Sequence, residues 1–215
     1  ATAGQGSVEI PVTAASYQPG KLVLENCVLQ NNNNTTSNGA GGAVCLISGE
    51  VTMNEGTIIQ NCKADQGGAV AMANAGTQES NSFTMNGGVM QNNQAVKTAE
   101  YGYGGGAVYM AKGNFTMNGG EIKNNATAVC GGAFYMVHGS ASFTMTNGTI
   151  SGNSAKYGGG IYANGNSIKL SGGSITGNTA SQWGGAALIA PGSDLDISGS
   201  ITIKDNTSGT SAIAD

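Results

Sequence analysis

Arginine is absent from this 215-residue chain, and all its basic side chains are Lys, 8 of them against 12 Asp and Glu, for a net charge of -4. A nucleic-acid surface needs clustered Lys and Arg, so DNA or RNA is excluded as a partner. An anionic membrane surface is disfavoured for the same reason. No apolar run approaches the ~18 residues that a spanning helix requires, so direct membrane insertion is not expected. Charged residues are only 9% of the chain, well under the share in an ordinary globular domain. The surface must therefore be built from Asn, Ser, Thr and Gly. Met is absent from position 1 and no signal-like segment follows, so a mature or excised piece of a larger polypeptide is expected, with any export signal outside it.

Chemistry is scarce too. The single His, His138, has no Asp near it in sequence and reads as a solvated loop residue. Four Cys are present, Cys27, Cys45, Cys62 and Cys130, and none forms a C-x-x-C pair, so a zinc knuckle or thioredoxin-like site has no support. Sequence does not choose among their three pairings. Cys130 lies two repeats beyond Cys62, ~10 Å along one column, which is too far for a bridge. Thiols acting as small apolar residues are the plainer reading. No Asp follows a Gly-Gly pair as a calcium-binding nonapeptide requires, and the Gly102–Gly106 cluster leads into no helix that would cradle a phosphate. No cofactor, metal site or catalytic residue is expected.

What the chain has in abundance is glycine, 37 residues, and a repeat. Gly-Gly pairs begin at Gly41, Gly67, Gly105, Gly131, Gly158 and Gly184, in the phrases GGAV, GGAV, GGAV, GGAF, GGGI and GGAA. Four of the five spacings are 26 or 27 residues and one is 38. A fixed period of this size decides the fold: each repeat is one coil that stacks only on its neighbours. Within a coil, three short alternating runs are separated by Gly or Asn, as in AVYM, NFTMN and GEIKN of residues 107–124. Strand and turn, three times over, close a triangular coil. The fold class expected is therefore all-β, a single-stranded right-handed parallel β-helix of about seven coils and one domain over residues 1–215. Residues 1–20 are expected to cap the first edge, 21–206 to form the coils, and 207–215 to form the C-terminal end. Helices are nearly excluded by the density of Gly and β-formers.

Alternation assigns the faces. Leu22, Val51, Phe83, Phe115, Phe143, Ile168 and Leu195 form one inward column. Leu24, Met53, Met85, Met117, Met145, Leu170 and Ile197 form a second. Val28, Ile58, Met90, Ile122, Ile150, Ile175 and Ile203 read as a third. Three residues beyond each member of that column stands an Asn: Asn31, Asn61, Asn93, Asn125, Asn153, Asn178 and Asn206. An inward Asn at a solenoid corner bonds the amides above and below it, so these seven are expected to form a structural ladder. In each Gly-Gly pair, one Gly is expected to take positive φ and the other to admit close backbone approach.

The phrases I150-S-G-N-S-A-K-Y-G-G-G-I-Y162 and I175-T-G-N-T-A-S-Q-W-G-G-A-A187 resemble repeats of adhesin-type right-handed β-helices, including the polymorphic outer-membrane proteins and adhesin-like surface proteins of gut microbes. The resemblance covers residues 22–206. It implies an exported bacterial protein, extracellular or at the cell surface, used in attachment to a host or environmental glycan or protein. It transfers no catalytic residue, and the family's C-terminal membrane barrel has no counterpart here.

Parallel β-helices also include polysaccharide lyases and hydrolases. The lyases resemble one another in an Arg base and an Asp-lined calcium site, which a chain without Arg lacks. Paired carboxylates for glycoside hydrolysis must lie ~5–10 Å apart. Asp194 and Asp196 satisfy that only in the last coil, where end-capping explains them equally. A polysaccharide-acting or carbohydrate-binding β-helix is thus the alternative to an adhesion module, and a structural spacer or ice-binding solenoid comes after it. For contact residues, the outward position of the Gly-Gly strand reads Cys45, Ala71, Tyr109, Tyr135, Tyr162 and Leu188, three Tyr in register. Tyr101, Tyr103, Tyr157 and Trp183 precede Gly-Gly pairs and extend the strip. Exposed aromatics with polar tips suit sugars and protein partners. The 94–104 loop, projecting beside them, is expected to join the contact.

Overall fold

The computed structural model describes residues 8–9, 20–35, 38–73, 81–98, 104–137 and 139–209. Among them there is no helix, and every strand pairing is parallel. The chain is a right-handed parallel β-helix of about six turns. The earlier coils carry four strand segments rather than the three expected. The Gly-Gly face holds Val44–Leu46, Val70–Met72, Val108–Met110, Phe134–Met136, Ile161–Asn164 and Ala187–Ala190, preceded by Val8–Glu9. The second face holds Gly20–Leu24, Gly49–Met53, Asn81–Met85, Gly113–Met117 and Ala141–Met145. Across a glycine corner, the third face holds Val28–Gln30, Ile58–Gln60, Val89–Gln91, Glu121–Lys123 and Thr149–Ser151. In the last two coils Ser167–Thr176 and Asp194–Lys204 run unbroken through both faces.

The fourth face is made of strands two to five residues long, such as Asn33–Asn34, Lys63–Ala64 and Thr179–Trp183. Runs this short show too little alternation to be read from sequence. Val8–Glu9 pairs with Val44–Cys45 as the first strand of the Gly-Gly face. Of the rest of the segment expected as an N-terminal cap, Gly20 instead begins the first strand of the second face, and residues 1–7 and 10–19 lie outside the description. At the other end, Thr207–Ser208 pairs with Thr179–Ala180, and residues 210–215 lie outside the description.

The second-face columns stack in the expected register, Val51 on Phe83 on Phe115 on Phe143 and Met53 on Met85 on Met117 on Met145. Phe83 and Phe115 lie one strand step apart, ring centroids 4.8 Å and planes within 4°. Phe143 leaves that file, tilting 55° from Phe115. The cause is Phe134, which stands where earlier Gly-Gly strands carry Val. It meets Phe115 edge-on at 4.9 Å and Phe143 at 4.4 Å. All 8 Met are fully buried, the unbranched thioether filling what stacked β-branched residues leave open.

The third face corrects the sequence reading in its first two coils. Leu29 and Ile59, not Val28 and Ile58, align with Met90, Ile122 and Ile150. Val28 is 45% exposed while Leu29 is 8% exposed. The slip carries into the ladder. Asn31 and Asn61 are exposed, with φ of 58° and 55°. They are corner residues in register with Asn92 and Asn124, which have φ of 56° and 55°. The ladder position itself is taken by Asn32, whose Nδ2 donates to Cys62 Sγ at 3.8 Å, and by Cys62, whose N–H donates to Asn93 Oδ1 at 3.0 Å. From there Asn93, Asn125, Asn153, Asn178 and Asn206 continue it. Each backbone N–H and Nδ2 donates to the Oδ1 of the next, at 2.9 to 3.0 Å.

Candidate functional site

The aromatic residues separate into two groups. Tyr109, Tyr135 and Tyr162 do stand in register on adjacent Gly-Gly strands. Their rings are tilted, with centroids 5.8 Å and 5.3 Å apart. Yet they do not form an exposed strip: Tyr109 is 8% and Tyr135 5% exposed, and only Tyr162 is half-buried. They belong to a second apolar cluster, outside the solenoid lumen, with Ala71, Val129, Cys130 and Val137. This corrects the expectation that Tyr109 and Tyr135 present their faces to a ligand. Tyr101 and Tyr103, with most of the tip of the 94–104 loop, lie outside the described residues.

Cys130 is part of that outer cluster and 2% exposed. All four cysteines are thiols, not disulfides. Burial pushes the Cys130 thiol from the ordinary 9.0 up to about 11, the charge of Lys156 pulling weakly the other way. The folded protein therefore keeps a proton that the unfolded chain gives up, so the native state loses stability as pH rises from about 9 to about 11. Thermal melts across that window should show a steeper fall for the wild type than for Cys130→Ala, in which this contribution is gone. Equal slopes would count against a buried protonated thiol.

The second aromatic group is exposed. Gly104, Cys130, Tyr157 and Trp183 follow one another up the corner that leads into the Gly-Gly face. The top pair, Tyr157 and Trp183, stack with centroids 5.2 Å apart and planes 39° apart. Trp183 is 46% exposed and Tyr157 half-buried. A register shift makes the room: between Ala155/Ala180 and Tyr157/Trp183 the later strand carries one more residue, a bulge that re-aims the indole. The Lys156 Nζ lies 5.1 Å from the Tyr157 ring centroid, within cation–π range. The corner thus offers an apolar platform two rings long with a cation at its side.

A separate open groove of about 500 Å³ runs along the glycine corner between the second and third faces, lined by Gly56, Gly88, Gly120, Glu55, Thr57 and Glu121 among others. Gly88 and Gly120 take φ of 82° and leave the groove without side chains. The Glu55 carboxylate lies over Gly87, and Glu121 is held in an ion pair by Lys123. Glu121 is two rungs from Ile58. Among the described residues no three His, Cys, Asp or Glu are close enough to hold a metal ion, and no helix is long and apolar enough to cross a membrane.

The outer Thr column, Thr52, Thr84, Thr116 and Thr144, is in register, and its neighbouring amides are self-satisfied. Asn86 donates to Asn54 at 3.0 Å, Asn118 to Asn86 at 3.1 Å, and Thr146 to Asn118 at 3.0 Å. Gln60 and Gln91 form a similar outer ladder on Gln30. The Thr-x-Asn phrases show the first of these columns in the sequence, whereas the Gln ladder goes unread although Gln recurring at one outward position is its signal.

The adhesin-type resemblance rests on repeat phrases that the geometry explains as corners and core strands. Comparison of the chain with protein-family models, with curated proteins and with solved structures finds no match in any of the three.

Proposed function

We propose that this chain is a non-enzymatic binding or adhesion module of an exported bacterial protein, extracellular or at the cell surface, and part of a larger polypeptide. The rod supplies stiffness and reach, and its partner is a glycan or glycan-bearing protein. The observation that carries this reading is the exposed Tyr157–Trp183 stack. Its two rings rise along the rod axis on a backbone fixed by parallel hydrogen bonds on both strands. Sugar rings pack their C–H faces on such platforms while their hydroxyls find polar tips and cations alongside. Because the strands are rigid, little ordering cost opposes binding.

Trp183 is the sole Trp, so its fluorescence reports directly on the platform. Glycan-array screening followed by fluorescence titration should find a ligand whose binding shifts the emission. Trp183→Ala should weaken that binding at least ~10-fold, as loss of a central aromatic contact does, while leaving the far-UV β signal unchanged. Undiminished affinity in the variant would move the contact elsewhere, and absence of any ligand would leave a structural spacer. The groove with Glu55 and Glu121 favours the second reading, a polysaccharide-acting β-helix. Shortened products released from a bound glycan would establish that reading over the first.

A further inference from the structure

The last rung, Asp194–Lys204, pairs with Ser167–Thr176 on one side and, among the described residues, with no strand on the other. Its inward side chains are correspondingly bare: Leu195 is 39%, Ile197 51% and Ile203 42% exposed. One rung below, in the same columns, Ile168, Leu170 and Ile175 are at 1%, 2% and 1%. The opposite end of the rod differs, since Leu24 and Leu29 of the first rung are only 6% and 8% exposed. An open parallel edge eleven residues long above an uncovered core is a template for another strand.

What would cover it is written in the strand. The sequence D-L-D-I-S-G-S-I-T-I-K has the same pattern in both directions about Gly199. Apolar residues stand at two and four places on either side, Ser at one place, and charges of opposite sign at five. Hydrogen-bond direction has the same symmetry. The Asp194 N–H donates back to Asn166 O at 2.9 Å, and the Lys204 carbonyl accepts from Gly177 N–H at 3.3 Å. By alternation from either end, Leu195, Ile197, Ile201 and Ile203 aim their N–H and C=O groups off the open edge.

We infer that this edge is a dimer interface at which a second copy of the chain docks antiparallel, with the two-fold axis through the Gly199 corner. Leu195 then faces Ile203 of the second copy and Ile197 faces Ile201, each pair exchanging two backbone hydrogen bonds with all side chains turned into the shared core. Asp194 stands opposite Lys204 at both ends of the joint. A shift of one residue sets outward-bonding groups against inward-bonding ones, and a shift of two breaks the charge pairs. The rotation exchanges the second and third faces, so the two lumens join end to end, and an isologous contact of this kind closes at two copies. Head-to-tail stacking fits less well, because Leu24 and Leu29 of the first rung are already buried and offer no bare core to match.

Light scattering and sedimentation of the 215-residue chain in the micromolar range test this. The expected species has twice the 21.3 kDa chain mass. Ile197→Lys with Ile203→Lys, at sites half-exposed in the single chain, should give the single-chain mass with unchanged far-UV circular dichroism. Asp194→Lys alone and Lys204→Asp alone should each weaken the dimer about tenfold or more, since two facing pairs become like-charged. The two together in one chain should restore it. A single-chain mass at every concentration, an open-ended series of larger assemblies, or failure of the double charge reversal to restore pairing would overturn the inference.

Discussion

Replacing Asn125 by Ala should cost roughly 4 kcal/mol of stability, the largest effect expected from removing a few polar atoms anywhere in this chain. Asn125 is fully buried. Its Oδ1 accepts from the N–H and the Nδ2 of Asn93, and its Nδ2 donates to Met90 O at 3.1 Å and to Asn153 Oδ1 at 3.0 Å. Ala leaves the Asn93 N–H and the Met90 carbonyl without these partners in a place water does not reach, and each such orphan costs about 1–3 kcal/mol. A fall in the urea midpoint would measure it. The corner position one residue earlier provides the control. Asn61→Gly keeps the positive φ of 55° and removes an exposed side chain, so it should change stability by no more than ~1 kcal/mol. The converse experiment lies at Cys62, where the ladder is interrupted. Cys62→Asn should be tolerated or stabilising, because Asn32 Nδ2 and the Leu29 carbonyl already point at that side chain. Equal costs at Asn61 and Asn125 would mean that the ladder runs through the position first read from the sequence.

That one-residue slip marks the limit of what periodicity reveals. In the second face, the phrase F-T-M repeats with a polar residue between two apolar ones, so only one register buries the right side chains, and Phe83, Phe115 and Phe143 align as read. Val28–Leu29 and Ile58–Ile59 are apolar doublets. Either member fills the core equally well on paper, and a strand shifted by one turns every side chain to the other face. Asn doublets at 31–32 and 92–93 compound the ambiguity. The tie is broken by the corner, which demands a left-handed residue just before the ladder. That position holds Asn31, Asn61, Asn92 and Asn124, then Gly152 and Gly177 with φ of 63° and 64°. The two glycines carried the signal, since they fix the phase of the corner in the later coils.

The burial of Tyr109 and Tyr135 was legible in a different way and was missed. The Gly-Gly strands are apolar on their outer side as well: Ala71 is followed two places on by Ala73, Tyr109 by Ala111, and Tyr135 by Val137. A strand apolar on both faces is a covered strand. Val70–Met72, Val108–Met110 and Phe134–Met136 are indeed buried at every residue. Where the outer positions turn polar again, as at Lys156 and Asn164, the aromatic neighbours emerge, and Trp183 with Tyr157 becomes the platform. Which aromatic residue meets solvent is thus decided by what neighbouring coils lay over it. A repeat-by-repeat reading does not supply that, because the covering residues come from outside the strand.

The second large effect concerns the Gly-Gly pairs, whose two members do different jobs. The first, from Gly41 to Gly184, takes φ between 62° and 72°. The second lies against the backbone of the next coil. At Gly132 an added Cβ would sit 2.1 Å from Gly159 O and 2.6 Å from Ser154 N. These are main-chain atoms of the neighbouring rung, held by their own hydrogen bonds, so no side chain can swing away to make room. Gly132→Ala should therefore force two coils apart and cost more than ~4 kcal/mol, in the range reserved for broken packing. Gly177→Ala is the matched comparison: nothing lies within 4 Å of its added Cβ, and only the φ of 64° opposes it, at about 1–2 kcal/mol. Because each coil touches only its neighbours, the damage at Gly132 should be local. Amide hydrogen exchange should lose protection first at the rungs around Phe134 and Ile161, with the stack from Val44 to Met72 protected longest. Uniform loss along the rod would instead mean that the solenoid melts as one unit, and a cost for Gly132→Ala no greater than for Gly177→Ala would remove close approach as the reason for the second glycine.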